Sequence, residues 1–156
     1  EANFYHDPHA AQIVIRAGWP VVLAGLDVCA FGNIPQQLLD KICGANKPLA
    51  PFIAGALPFF QDFLKIFGMF DKAGFPDAMA IAYLLEPEIF STEEVPLFIE
   101  TEGSCMGQSI EVPTGKWHED LNNKETHKAD GNIAPVKVVF KADNEKYLTL
   151  VEKLLA

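Results

Sequence analysis

The fold is decided by the stretch DPHAAQIVIRAGWPVVLAGL, residues 7–26. Asp7-Pro8 is typical of a helix N-cap followed by the first helical residue. Apolar residues then recur at helical spacing until Gly18, which predicts a helix with Ala10, Ile13, Val14 and Ala17 facing inward. The run Val21–Leu26 predicts a strand buried on both faces, as in a parallel sheet. A helix followed by a strand is the second half of a βαβ crossover, so we expect an α/β fold whose leading strand lies before residue 1.

The rest of the chain continues this alternation of helices and strands. Pro35 opens a predicted helix that Gly44 ends, and the apolar spacing from Pro48 to Phe67 predicts a longer helix, bent or split at Pro58. Phe59-Phe60 and the neighbouring aromatic residues are interpreted as core. The later predicted elements are a helix 78–85 after Asp77, strands at 95–101, 109–112 and 136–141, an exposed loop 113–135, and a last helix after Asp143 with Tyr147, Leu148, Val151, Leu154 and Leu155 inward.

The composition excludes several classes of function. The 156 residues are 49% hydrophobic and carry a net charge of −9 with a single arginine, Arg16, which suits an acidic globular domain rather than a nucleic-acid-binding protein. The three cysteines lie far apart, as expected of reduced and mostly buried thiols. The most apolar stretch, 48–70, contains charged residues and three prolines, so we interpret it as a buried or kinked helix and expect no membrane span. No leader is recognised at residue 1, and we expect a cytoplasmic location.

Glu1 and Asn3 form the first candidate site. A carboxylate accepts hydrogen bonds from sugar hydroxyls, and an amide both donates and accepts them. Alternating residues of an extended segment project to the same side, so both side chains could face one ligand. The alternative is a solvated N-terminal segment, because chain termini are commonly loose.

Asp77 is the second candidate, at the end of the loop-to-helix stretch Gly74–Ala80. Its carboxylate could bind a hard cation such as Ca²⁺. The alternative is an ordinary helix N-cap. His6 and His9 have the spacing of a metal pair but straddle a helix start, so we interpret them as exposed polar residues, and His118 and His127 likewise.

Five segments match one family in their order along the chain. They are Glu1–Phe4 with Asp7–Ala11, Gly18–Val28, Pro76–Leu84, Glu100–Gly103 with Gly107-Gln108, and Val136–Leu155. They resemble the E-F-N…D-P-E-A-A, G-x-P-x-x-x-x-G-L-D-V and H-D-P-x-A-x-A-Y-L motifs, the glycine-containing hairpin, and the last strand and helix of the inosine–uridine nucleoside hydrolase family. The resemblance implies a Rossmann-like α/β fold, with residues 1–156 forming the C-terminal portion of a single domain.

The resemblance also implies a function and a set of roles. Members hydrolyse the N-glycosidic bond of ribonucleosides to free base and ribose, with Ca²⁺ as cofactor. The resemblance implies that Glu1 and Asn3 bind the ribose hydroxyls and that Asp77 is the one Ca²⁺ ligand from this half. The family's N-terminal D-x-D-x-x-x-D-D cluster, which supplies most of the Ca²⁺ ligands and the aspartate that activates water, has no match here. We therefore expect a nucleoside ligand, an oligomer or a dependence on the missing N-terminal half, and no activity from this chain alone.

One residue departs from the family pattern. Pro76 stands where the pyrimidine-accepting and nonspecific members have a histidine that can protonate the leaving base, and where the purine-preferring class has an aromatic residue. No catalytic residue is therefore identified in this chain. Two alternatives to a hydrolase portion stay open: a non-catalytic remnant that binds a ribosyl ligand or a partner, and a complete small α/β domain that only echoes the family.

Overall fold

The structure is a computed structural model, and it describes all residues except 1, 30–31, 68–73 and 113–134. Its helices are α1 (Ala2–His6), α2 (Pro8–Ile15), α3 (Leu26–Cys29), α4 (Gln36–Cys43), α5 (Ala50–Phe67), α6 (Ala78–Leu85) and α7 (Asn144–Leu155). Its strands are β1 (Val22–Ala24), β2 (Phe90–Ile99), β3 (Ser109–Glu111) and β4 (Pro135–Ala142). The expected α/β class is confirmed. Most of the predicted loop 113–135, with His118 and His127, lies outside the described residues.

The described strands form one four-stranded sheet in the order β1-β4-β2-β3. Strands β2 and β3 pair antiparallel, with Phe98 opposite Ile110, and they form the hairpin expected around Gly103 and Gly107. Strand β1 lies at the edge of this sheet, and Val22 is exposed. The expectation of a strand buried on both faces is therefore wrong for β1 in the described part of the chain, because Val22 is exposed and Leu23 and Ala24 are only partly buried.

The chain forms two compact units, and the first comprises Glu1–Leu23 and Thr92–Val138. Its core contains Val95, Leu97 and Ile99 from β2, together with Ile15 and Val136. The three β2 residues alternate along the strand, so they point to the same face of the sheet. Gln12 reaches the backbone N–H of Ile99 and accepts a hydrogen bond from it. Helix α2 is thus attached to β2 by packing and by one polar contact.

Helix α2 begins where the sequence predicts, but its buried face is not the predicted one. The carboxylate of Asp7 accepts a hydrogen bond from the N–H of Ala10 at 2.9 Å, as an N-cap does. Ile13, however, is 69% exposed and Val14 is 47% exposed. The core-facing stripe is Pro8, Ala11 and Ile15. Because α2 is apolar on more than one side, its periodicity does not determine which stripe meets the sheet.

The second unit comprises Ala24–Ser91 and Val139–Ala156. Helix α4 begins after Pro35 and ends at Gly44 as predicted, with Leu39 and Ile42 buried. Asp143 caps α7 through the N–H of Lys146 at 3.2 Å. Tyr147 and Val151 are buried as predicted. Leu154 is exposed, so its predicted inward position is wrong, and Leu150 is buried instead.

Helix α5 continues through Pro58 as a single helix. Its buried residues, Ala50, Leu57 and Leu64, are seven residues apart and form one narrow stripe. Phe52 is 74% exposed and Phe59 is 78% exposed. The interpretation of Phe59-Phe60 and the neighbouring aromatic residues as core is therefore wrong for Phe52 and Phe59. Among the described residues, no helix is long and apolar enough to cross a membrane.

Candidate functional site

The amino-terminal candidate is only partly described. Glu1 lies outside the described residues, and Asn3 is exposed on α1 in the first unit. The expectation that this segment is extended is wrong for residues 2–6, which are helical. Residues two apart on a helix do not share a face, so the same-side projection expected of an extended segment does not hold at Asn3. Ribose binding by Glu1 and Asn3 stays a prediction.

A cavity of mixed polar and apolar lining lies beside α1 within the same unit. It has a volume of about 500 Å³, and its walls are formed by Ala2, Tyr5 and the turn 104–108. Gly107 has φ +85°, and a Cβ at this position would lie 2.7 Å from the Cα of Tyr5. The glycine therefore permits both the turn and the close approach of α1. This cavity was not predicted from the sequence.

Asp77 lies at the start of α6 in the second unit. It is exposed and has helical backbone angles of φ −66° and ψ −22°, and its carboxylate makes no capping hydrogen bond. The first turn of α6 is closed by its backbone instead, through the bonds Ala78 N–H to Phe75 O at 3.0 Å and Met79 N–H to Pro76 O at 3.1 Å. The carboxylate is thus not used as an ordinary N-cap, and its oxygens can accept a ligand.

An apolar cavity adjoins Asp77. Its volume is about 470 Å³, and α5 supplies one wall with Phe52, Phe59 and Phe60. The other wall is the segment Gly74–Ala78, in which Asp77 is the charged residue. The aromatic residues that the sequence placed in the core therefore line an open cavity. A flat, weakly polar group fits such walls.

Cys29 lies beneath the segment that carries Asp77, and sequence reasoning did not assign it a role. Its Sγ is 3.3 Å from the carbonyl oxygen of Gly25 and 3.5 Å from that of Pro76. Burial raises the pKa of the Cys29 thiol, and the negative charges of Asp77 and Asp27 raise the pKa further. The thiol is therefore held protonated, as a hydrogen-bond donor rather than a nucleophile.

Tyr147 is the largest fully buried side chain of the second unit. Its hydroxyl has no hydrogen-bond partner among the described residues. Burial raises the pKa of Tyr147 to about 12, with a further contribution from Cys29. A buried hydroxyl without a partner costs stability, because it has lost its hydrogen bonds to water.

The described residues do not form a metal site by themselves. No group of three or more His, Cys, Asp or Glu side chains converges within the described part of the chain. Calcium takes six to eight oxygen ligands. The carboxylate of Asp77 has the right donor chemistry for this ion, but it fits as one ligand of a larger set. His6 and His9 are exposed, as interpreted from the sequence.

Comparison with known proteins gives a consistent result. Residues 1–149 match the profile of the family described as inosine-uridine preferring nucleoside hydrolase. The chain is 32% identical over 158 aligned positions to the pyrimidine-specific ribonucleoside hydrolase RihA of Klebsiella pneumoniae subsp. pneumoniae, covering 100% of this chain and 47% of that protein. It is 31% identical to RihA of Citrobacter koseri, covering 100% of this chain and 46% of that protein.

Solved structures with the same fold are also nucleoside hydrolases. The plant nucleoside hydrolase PpNRh1 superposes with a TM-score of 0.83 at 20% identity, over 99% of this chain and 47% of that one. The purine-preferring ribonucleoside hydrolase of Gardnerella vaginalis superposes with a TM-score of 0.78 at 21% identity, over 99% of this chain and 45% of that one. The chain thus spans about half the length of the relatives it matches.

Proposed function

The chain belongs to the inosine-uridine preferring nucleoside hydrolase family, and from this premise we propose that it forms part of an enzyme that hydrolyses the N-glycosidic bond of ribonucleosides. In this reaction the bond between C1′ of the ribose and the base nitrogen breaks. A bond from C1′ to a water oxygen forms, one proton of the water is released, and the base leaves with a proton. The sugar passes through an oxocarbenium-like state. A cytoplasmic location and a role in nucleoside salvage belong to the same proposal.

The observation that carries this proposal is the apolar cavity that ends at Asp77. Phe52, Phe59 and Phe60 line it, and aromatic walls suit a planar nucleobase. Asp77 lines the same cavity and is exposed, and its carboxylate suits the polar end of a nucleoside. A base held in the cavity would direct its sugar toward Asp77.

We assign Asp77 as one ligand of a Ca²⁺ ion. Such an ion, when bound, orients water and the ribose diol and lowers the pKa of that water. The described residues offer no cluster of three ligands, so the remaining ligands come from outside them. The proposal includes the partner that follows from this, either an N-terminal half of the same fold or another copy in an oligomer.

Glu1 and Asn3 are proposed to bind the ribose hydroxyls. Their carboxylate and amide can accept from and donate to a vicinal diol. Holding the sugar in this way supplies positioning energy away from the bond that breaks. Pro76 has no proton to donate, so protonation of the leaving base has to come from solvent or from a group outside the described residues.

A second candidate function is a ribosyl-binding module without turnover. Pro76 favours it, because among the described residues Asp77 is the one acidic side chain that lines the cavity, and Asp77 is assigned to the metal. The two candidates differ in base release from nucleosides. We expect the full-length protein to release base from inosine or uridine, and saturable binding of both nucleosides without release would favour the binding module.

Residues 1–156 alone are expected to be inactive, because the described residues hold no cluster of acids that could provide a base and a metal site together. The measurement is base release from inosine and uridine by the purified 156-residue chain with CaCl₂ added. Release above the rate in buffer would contradict the proposed division of the site.

A further inference from the structure

The segment that leads into α6 is in contact with a second segment of the same unit. Gly74 forms an antiparallel bridge with Asn33. A Cβ placed on Gly74 would lie 2.8 Å from the carbonyl oxygen of Gly32. Backbone atoms cannot move aside as the end of a flexible side chain can, so glycine is required here by close approach. The position of Gly74 is thus set by residues 32 and 33.

The same segment is held again at Pro76. The thiol of Cys29 has a single proton, and the carbonyl oxygens of Pro76 and Gly25 both lie within its reach, at 3.5 and 3.3 Å. The Pro76 oxygen also accepts the N–H of Met79 at 3.1 Å. The carbonyl that precedes Asp77 is therefore fixed by α6 on one side and by Cys29 on the other.

Asp77 depends on these backbone contacts for its orientation. Its side chain makes no capping hydrogen bond, and it is exposed. The direction in which the carboxylate leaves the backbone is then set by the peptide that joins it to Pro76. Residues that contact a metal ligand, without touching the metal, commonly determine the orientation of that ligand. Loss of such contacts commonly weakens metal binding.

We propose that Cys29, Gly32 and Asn33, together called the brace, position Asp77 for its ligand. This inference rests on the proposed function, in which Asp77 binds Ca²⁺. Cys29 is a positioning residue that acts through the Pro76 carbonyl and does not touch the ion. The brace also explains why a thiol is present beside a metal-binding carboxylate without serving as a ligand, since its proton is directed at backbone carbonyls.

The first test uses the glycine. In the full-length protein, Gly74→Ala places a methyl group against the Gly32 carbonyl and displaces the segment, and we expect Ca²⁺ affinity, measured by calorimetry with CaCl₂, to fall about tenfold. Gly55→Ala is the matched control, because a Cβ on Gly55 meets nothing within 4 Å. We expect the control to leave Ca²⁺ affinity unchanged.

The second test uses the Cys29 thiol, and it tests whether the brace positions Asp77 even if Gly74→Ala does not fold. Cys29→Ala removes the donor and should weaken Ca²⁺ binding roughly two- to tenfold. Cys29→Ser keeps a donor and should restore part of that loss. Cys43→Ala is the control, because Cys43 is also half-buried against the same core. Hydrogen exchange at the Met79 amide should accelerate in Cys29→Ala and not in Cys43→Ala.

Asp77→Ala distinguishes a failure of the brace from a failure of the proposed metal assignment. If it greatly weakens Ca²⁺ binding while Gly74→Ala and Cys29→Ala both bind within twofold of wild type, the brace is overturned and the proposed function stands. If Asp77→Ala itself leaves Ca²⁺ affinity unchanged, the metal assignment fails and the brace fails with it. Weakened binding in the brace variants, at unchanged unfolding temperature, supports positioning rather than a general loss of stability.

Discussion

Replacing Tyr147 with phenylalanine should stabilise the protein. The side chain is fully buried, and its hydroxyl has no partner among the described residues. Burying an unpaired hydroxyl costs about 1–3 kcal/mol, and Tyr147→Phe removes this cost while keeping the ring that fills the core. Because the lost oxygen leaves a small void, the net gain should be about 1 kcal/mol. Urea unfolding at neutral pH measures it as a higher midpoint at unchanged m-value.

The same substitution should change stability at alkaline pH. The pKa of Tyr147 is raised to about 12 in the folded state, from the ordinary value of 10.0. The unfolded chain therefore loses this proton first, and the contribution of the neutral hydroxyl is complete below pH 10 and lost as pH rises toward 12. A pKa difference of this size corresponds to roughly 3 kcal/mol. The variant should lose less stability than wild type between these pH values.

Tyr83→Phe is the control for Tyr147. Tyr83 is half-buried with its ring against Phe90, at a centroid distance of 5.7 Å, and a hydroxyl near solvent can bond to water. We expect no more than about 0.5 kcal/mol from this change. If Tyr147→Phe instead destabilises the protein by 1 kcal/mol or more, the Tyr147 hydroxyl has a hydrogen-bond partner and the reasoning is refuted.

Two further predictions concern packing and capping. Ile42→Ala should lower the free energy of unfolding by about 2–5 kcal/mol, because Ile42 is 0% exposed. Ile66 is 79% exposed, so Ile66→Ala should change the free energy of unfolding by no more than about 0.5 kcal/mol. Urea unfolding of both variants measures the difference, and equal effects would contradict the assigned core. The backbone N–H of Lys146 holds the pKa of Asp143 below its usual value. The Asp143 carboxylate therefore stabilises the fold at pH values above its usual pKa, and this stabilisation is lost as pH falls through the lowered pKa. Asp143→Ala should lower the unfolding temperature at neutral pH but not in strong acid. An equal effect at both pH values would argue against capping.

The sequence predicted the parts of the fold that are encoded locally. The N-caps Asp7 and Asp143 each bond to a backbone N–H three residues on, so the helix starts follow from neighbouring residues. Which face of a helix is buried depends on partners distant in sequence. Ile13 on α2 is expected in the core from periodicity and Phe59 on α5 from its aromatic character, and both are exposed.

In the candidate site, too, the locally encoded feature was predicted from the sequence and the features that depend on distant residues were not. Asp77 was identified from its loop-to-helix context and from the family motif. Cys29 was not, because its contact with Pro76 spans 47 residues and a single cysteine carries no motif. The cavity beside Asp77 was also missed, because a phenylalanine that lines a cavity and one that fills a core have the same sequence pattern.

The most direct test of the central claim is the activity of the full-length Asp77→Ala variant on inosine and uridine with Ca²⁺ present. Asp62→Ala is the control, because Asp62 is exposed and paired only with Lys65 on the same helix among the described residues. Loss of a metal ligand removes several kcal/mol of transition-state stabilisation, so we expect kcat/KM for base release to fall on the order of 100-fold or more for Asp77→Ala and to stay near wild type for Asp62→Ala. Equal activity of the two variants would contradict the assignment of Asp77 to the site.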